Sequence, residues 1–152
     1  MIELKSDSKD LWLLRYLSWI KWTGLSGMFL LFVGSIYVLT IPILEDDYQI
    51  SRVLPCLLLG GFPLYMCTQC LKVIPYIRAD VEFSHEEFSI YWPDGSSRSH
   101  KWAEVKCLKR YGSTQVLTLL DSKGKSIFAV TNMATSYPKF VEILLNKTGL
   151  TY

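Results

Sequence analysis

The reading of the fold turns on WTGLSGMFLLFVGSIYVLTIPIL, residues 22–44, and VLPCLLLGGFPLYMCTQCL, residues 53–71, which are separated only by residues 45–52. Neither run contains Asp, Glu, Lys, Arg or His. At about 1.5 Å per residue, helices of these lengths extend roughly 34 Å and 28 Å, against a hydrocarbon core of about 30 Å. An unfilled backbone hydrogen bond is costly in lipid, so an apolar run of this length is stable there only as a helix. The pattern predicts a membrane hairpin over residues 22–72.

Charge on either side of the hairpin predicts its orientation. The connecting loop, Glu45-Asp46-Asp47-Tyr48-Gln49-Ile50-Ser51-Arg52, has Arg52 as its one base. Lys5, Lys9, Arg15 and Lys21 precede the first run, and Lys72 and Arg78 follow the second. Lys and Arg are retained on the cytoplasmic side of a membrane, so both termini are expected in the cytoplasm. Trp12, Trp19, Lys21, Trp22, Lys72 and Arg78 are the expected membrane-interface residues, since indole rings sit at headgroup depth and long cationic side chains snorkel outward. Residues 1–21 read as a juxtamembrane helix, with Ser8 as N-cap and Asp10 near the positive end of the helix dipole. This segment either lies in the interface or extends the first spanning helix. Gly27 and Gly34 on the first run, with Gly60 and Gly61 on the second, are expected to let membrane helices approach closely.

From residue 79 onward the texture changes. Phe88, Ile90 and Trp92 alternate with Ser89 and Tyr91, the period of a strand with one buried face. Pro93-Asp94-Gly95-Ser96 reads as a turn, and Ser122-Lys123-Gly124-Lys125 as a tighter one. Strands are predicted at 79–83, 88–92, 98–102, 105–110, 116–121 and 126–131. Ser136 is a candidate N-cap, Pro138 suits a first helical turn, and Tyr137, Phe140, Val141, Leu144 and Leu145 keep helical spacing up to Gly149. The fold class is therefore α+β. A two-helix transmembrane hairpin precedes a small antiparallel sheet domain, residues 79–152, capped by a C-terminal helix.

The hairpin, the Trp-Ala-Glu-Val segment after a turn, and Leu-Thr-Leu-Leu-Asp-Ser-Lys-Gly-Lys-Ser-Ile-Phe-Ala-Val before a terminal helix resemble the bacterial pleckstrin-homology-like membrane proteins. The likeness covers about residues 80–148 and the layout of the hairpin. Trp102, Glu104 and Val105 match a tryptophan, polar, aliphatic pattern that opens a strand in that family. The resemblance implies a curved, barrel-like sheet closed by the C-terminal helix. The family usually has seven strands, whereas six are read here. Phosphoinositide recognition is not carried over, because no clustered basic loop matches it.

Candidate chemistry is sparse. Cys67 and Cys70 are three apart, as a dithiol or a pair of metal ligands can be, but a structural metal site needs two more ligands. His85 and His100 are the only histidines, and neither has a paired spacing. The net charge of +2 is too small for a nucleic-acid binder. No catalytic, cofactor-binding or metal residue is expected. The predicted role is that of a non-enzymatic, membrane-anchored binding or scaffold module. Its partners are the lipid bilayer and a protein, with a homo-oligomer as a further possibility. The alternative is an accessory subunit of a larger membrane complex, bound through the hairpin.

Overall fold

The computed structural model describes residues 5–7, 10–45 and 48–151. The chain is α+β. Two short strands, β1 (Lys5–Asp7) and β2 (Asp10–Leu14), lead into two long helices, α1 (Ser18–Leu44) and α2 (Ile50–Cys70). A 3-10 turn at Ile74–Tyr76 follows, then β3 (Asp80–Phe83), β4 (Glu87–Tyr91) and β5 (Ser97–Lys101). After a second 3-10 turn at Trp102–Glu104 come β6 (Cys107–Tyr111), β7 (Val116–Leu120), β8 (Ser126–Thr131) and a terminal helix, α3 (Tyr137–Thr148).

Both long helices are long and apolar enough to cross a membrane. Phe29, Leu30, Leu31 and Phe32 on α1, and Leu57, Leu58, Leu59 and Phe62 on α2, are exposed. A soluble protein rarely leaves so large an apolar surface uncovered.

The N-terminal segment departs from expectation. Residues 10–14 are a strand, not part of a juxtamembrane helix, and Ser8 and Lys9 lie outside the described residues. β2 pairs antiparallel with β3, setting Trp12 opposite Phe83 and Leu14 opposite Val81. Trp12, Leu14 and Tyr16 alternate along the chain, and the last two are buried in the core. Pairing with β3 buries that face and fills the ladder hydrogen bonds together, which an isolated interfacial helix does not do.

The hairpin is therefore an insertion between two neighbouring strands. β1 to β5 form one antiparallel sheet in chain order, and β6 to β8 a second. Phe140 of α3 joins them: its ring lies 5.2 Å from Phe83, 5.5 Å from Trp102 and 5.8 Å from Phe128, between centroids. These are edge-on or tilted arrangements favoured by the aromatic quadrupole. β7, the central strand of the smaller sheet, is buried on both faces.

Smaller corrections concern element ends. Trp102 and Val105 are both buried but belong to the turn between β5 and β6 and not to strands, and the indole Nε1 of Trp102 donates to the Ser84 carbonyl. Ser136 takes a left-handed conformation, φ 55°, and its side chain makes no capping bond. Gly149 takes the left-handed C-terminal position, φ 64°, that glycine tolerates without strain.

Candidate functional site at the junction of hairpin and sheets

Where α2 ends, the chain is tied to the smaller sheet. The β6–β7 turn reaches the last turn of α2, and the hydroxyls of Ser113 and Thr114 donate to Gln69 Oε1 at 3.1 Å and 3.0 Å. Gln69 is only 4% exposed, so these bonds satisfy a buried amide that is costly to leave unpaired. Beyond it, Lys72 Nζ donates to the Tyr111 hydroxyl and lies 4.1 Å from the centre of that ring. Lys109 Nζ approaches the same ring at 5.3 Å. The Lys72 hydrogen bond, aided by the charges of both lysines, holds the Tyr111 phenol below its ordinary pKa. Cys107, Lys109 and Tyr111 share one face of β6 by strand alternation.

The following residues continue the attachment. Tyr76 donates its hydroxyl to the Ile127 carbonyl at 3.0 Å, and Trp92 Nε1 donates to the Pro75 carbonyl at 3.0 Å. On the other foot of the hairpin, the backbone N–H of Thr131 donates to the Tyr16 hydroxyl at 2.7 Å. Burial pushes the Tyr16 phenol above its ordinary pKa. Thr135 holds Arg15 through both backbone and side chain. Residues 72–79 thus form a hydrogen-bonded junction between α2 and the sheets.

The interface candidates divide. Trp19 and Trp22 are exposed near the start of α1, and Arg78 lies 6.0 Å from the Trp22 ring, a cation–π contact that links the two feet. Lys21 is half-buried and Lys72 exposed. Trp12 sits elsewhere, stacked on Phe83 at 5.8 Å with Lys139 over it at 5.5 Å, so it serves the sheet domain.

The glycines divide as well. A Cβ at Gly60 would lie 2.7 Å from Leu39 Cγ and 2.8 Å from the Ser35 carbonyl oxygen, so α1 and α2 approach closely there. Gly27, Gly34 and Gly61 have nothing within 4 Å of that position and face away from the helix contact. The spacing of small residues was visible in the sequence, but which one lies in the crossing depends on helix rotation.

Cys67 is buried with its thiol 3.8 Å from the Met28 carbonyl of α1, while Cys70 is half-buried. Among the described residues no group of three His, Cys, Asp or Glu could hold a metal ion. His100 Nδ1 meets Glu104 Oε2 at 2.8 Å, which holds the Glu104 carboxyl below its usual range.

Two concavities bear on binding. An apolar groove of about 260 Å³ between the helices is lined by Met28, Phe29, Phe32, Leu64, Thr68 and Leu71, at the end nearest the sheets. A polar one of about 200 Å³ lies on the larger sheet among Glu82, Ser84, Glu87, Ser89 and Tyr91. The junction and the groove were missed in the sequence because they join residues about forty positions apart. Comparison of the chain with protein families, with curated proteins and with solved structures finds no match.

Proposed function

We propose that this chain is a non-enzymatic, membrane-anchored binding module, in which a rigid sheet domain is held against the cytoplasmic face of a bacterial inner membrane. The observation that carries the reading is the insertion of the apolar hairpin between the paired strands β2 and β3. With Leu14 opposite Val81, both feet of the hairpin leave the same small domain, so the two helices cross the bilayer and return. The bases Arg15, Lys21, Lys72 and Arg78 on that side, against Arg52 in the loop, favour a cytoplasmic domain.

A pleckstrin-homology-like identity belongs to the same proposal. Its support is the strand count: β2 to β5 and β6 to β8 make four strands and three, followed by a helix that packs Phe140 between the sheets. β2 supplies the strand that residues 79–152 alone lack. The module offers a partner the acidic concavity around Glu82 and Glu87, which suits a basic protein segment.

Reporter fusions after residues 47 and 152 test the arrangement. The reading expects an exported reporter at the first and a cytoplasmic one at the second. The same side for both, or a full-length chain that stays monodisperse without detergent, defeats it. Crosslinking in intact cells that captures only lipid defeats the protein-binding part.

A second reading, an accessory subunit bound through its hairpin, draws support from the open space outside Gly27 and Gly34. Small residues there leave room for a further membrane helix, from a partner or a second copy. Replacing both with Leu should abolish co-purification of that partner under this reading and leave it intact under the first.

A further inference from the structure

The geometry points to a binding site for one anionic phospholipid, with its phosphate between Lys72 and Lys109 and the upper part of an acyl chain in the groove between α1 and α2. The inference rests on the membrane reading above and adds a ligand to it. Its first support is charge. Two ammonium groups converge on the single Tyr111 ring, at 4.1 Å and 5.3 Å, and neither forms an ion pair with a carboxylate among the described residues. Lys72 spends one N–H on the Tyr111 hydroxyl and keeps two for a ligand. The same two lysines hold the Tyr111 phenol below its ordinary pKa, chiefly through the Lys72 hydrogen bond. Two cations around one ring, neither paired with a carboxylate among the described residues, suit a group with several anionic oxygens, as a phosphate has.

The second support is independent of charge and says what the phosphate is attached to. Leu64, Thr68 and Leu71 form the α2 wall of the apolar groove. They fall four and three apart, one stripe of the helix. Past Cys70 the chain tightens: the Lys72 N–H bonds to the Gln69 carbonyl at 3.3 Å and the Val73 N–H to the Cys70 carbonyl at 2.9 Å, three residues back and not four. Lys72 directly follows Leu71, the last of these lining residues, and so stands at the sheet end of the groove. A cavity of about 260 Å³ accepts a run of methylene groups, not a whole lipid. A free phosphate or a nucleotide has no use for an apolar groove leading to its site, whereas a phospholipid fills both halves. The bonds from Ser113 and Thr114 to Gln69 hold the β6–β7 hairpin over the helix end, so Lys109 is positioned before the ligand arrives.

The test uses the full-length protein in an uncharged detergent, offered equal amounts of phosphatidylglycerol and phosphatidylcholine, with bound lipid read by native mass spectrometry. Phosphatidylglycerol should be retained preferentially. Lys72→Gln and Lys109→Gln should each lower that preference about fivefold, and together abolish it. Thr68→Trp, which fills the groove without touching either lysine, should also release the lipid. Lys123→Gln with Lys125→Gln, in the distant β7–β8 turn, should change nothing. Equal retention of both lipids, or a preference that survives the double substitution, overturns the site. Displacement by inorganic phosphate while Thr68→Trp has no effect makes the ligand free phosphate and also overturns it. A chain that needs no detergent defeats the membrane reading itself, whereas a detergent-dependent chain with no lipid preference defeats only this site.

Discussion

Adding a single methyl group at either of two adjacent glycines should have opposite consequences. At Gly60 the new Cβ lies 2.8 Å from the Ser35 carbonyl oxygen and 2.7 Å from Leu39 Cγ, whereas at Gly61 it meets nothing within 4 Å. Leu39 can rotate, but the Ser35 carbonyl belongs to the α1 backbone, so the helices must separate by roughly half an ångström to restore ordinary contact. Overpacking of this kind costs about 1–3 kcal/mol. Alanine gains up to about 1 kcal/mol over glycine in a helix at both positions, so the difference between Gly60→Ala and Gly61→Ala isolates the clash. Cys67 is a built-in reporter. It is 4% exposed, and its thiol faces the Met28 carbonyl across the same helix pair. With Cys56, Cys70 and Cys107 replaced by Ser, the labelling rate of Cys67 by a small maleimide in micelles follows the opening of the hairpin. Gly60→Ala should raise it about fivefold to a hundredfold, the range that 1–3 kcal/mol sets at about 1.4 kcal/mol per factor of ten. Gly61→Ala should leave it unchanged or lower it. Equal rates in the two variants would refute the close approach at Gly60.

Three further outcomes test the junction and the sheet. Leu14 is 1% exposed and Leu17 44%, so Leu14→Ala should destabilise the sheet domain by about 2–5 kcal/mol in denaturant titrations while Leu17→Ala has little effect; similar losses would remove β2 from the core. Gln69→Leu leaves the Ser113 and Thr114 hydroxyls without their acceptor and should cost about 1–3 kcal/mol, with faster proteolysis in the 112–115 turn; an unchanged digestion pattern would mean that the turn is not anchored there. Tyr16 has its folded-state pKa raised by burial, so its contribution is full below the unfolded value of about 10 and is lost as pH rises through the folded value. Tyr16→Phe should lower stability near neutrality by about 0.5–1.5 kcal/mol and make the alkaline decline shallower; parallel pH curves would contradict a buried phenol at that position.

Much of the fold was legible because it is written in local periodicity. The two apolar runs were read as helices from length and the absence of charge, and α1 and α2 extend a few residues beyond them at the N-terminal side. Phe88 and Ile90 were read as the inward face of a strand, and both are fully buried in β4. The Asp94-Gly95 and Lys123-Gly124 turns lie where their glycines adopt positive φ, 84° and 74°. The failure at residues 10–14 has a physical cause. Leu11-Trp12-Leu13-Leu14 is apolar at every position, so neither a two-residue nor a 3.6-residue period stands out, and the deciding partner lies beyond the whole hairpin. The alternation of Trp12, Leu14 and Tyr16 was the one available signal.

The sequence by itself determined the three helices, the strands from β3 onward and where the greasy surface lies, since these follow from backbone hydrogen bonding and side-chain hydropathy over a few neighbouring residues. Only the tertiary structure decided that β2 joins β3 across the inserted hairpin, that Gly60 and not Gly27 meets the opposing helix, and that Lys72 and Lys109 gather around Tyr111. Those choices depend on how rigid elements rotate and dock over long chain separations, where the free energy of burying a shared surface, and not any local preference, selects the arrangement.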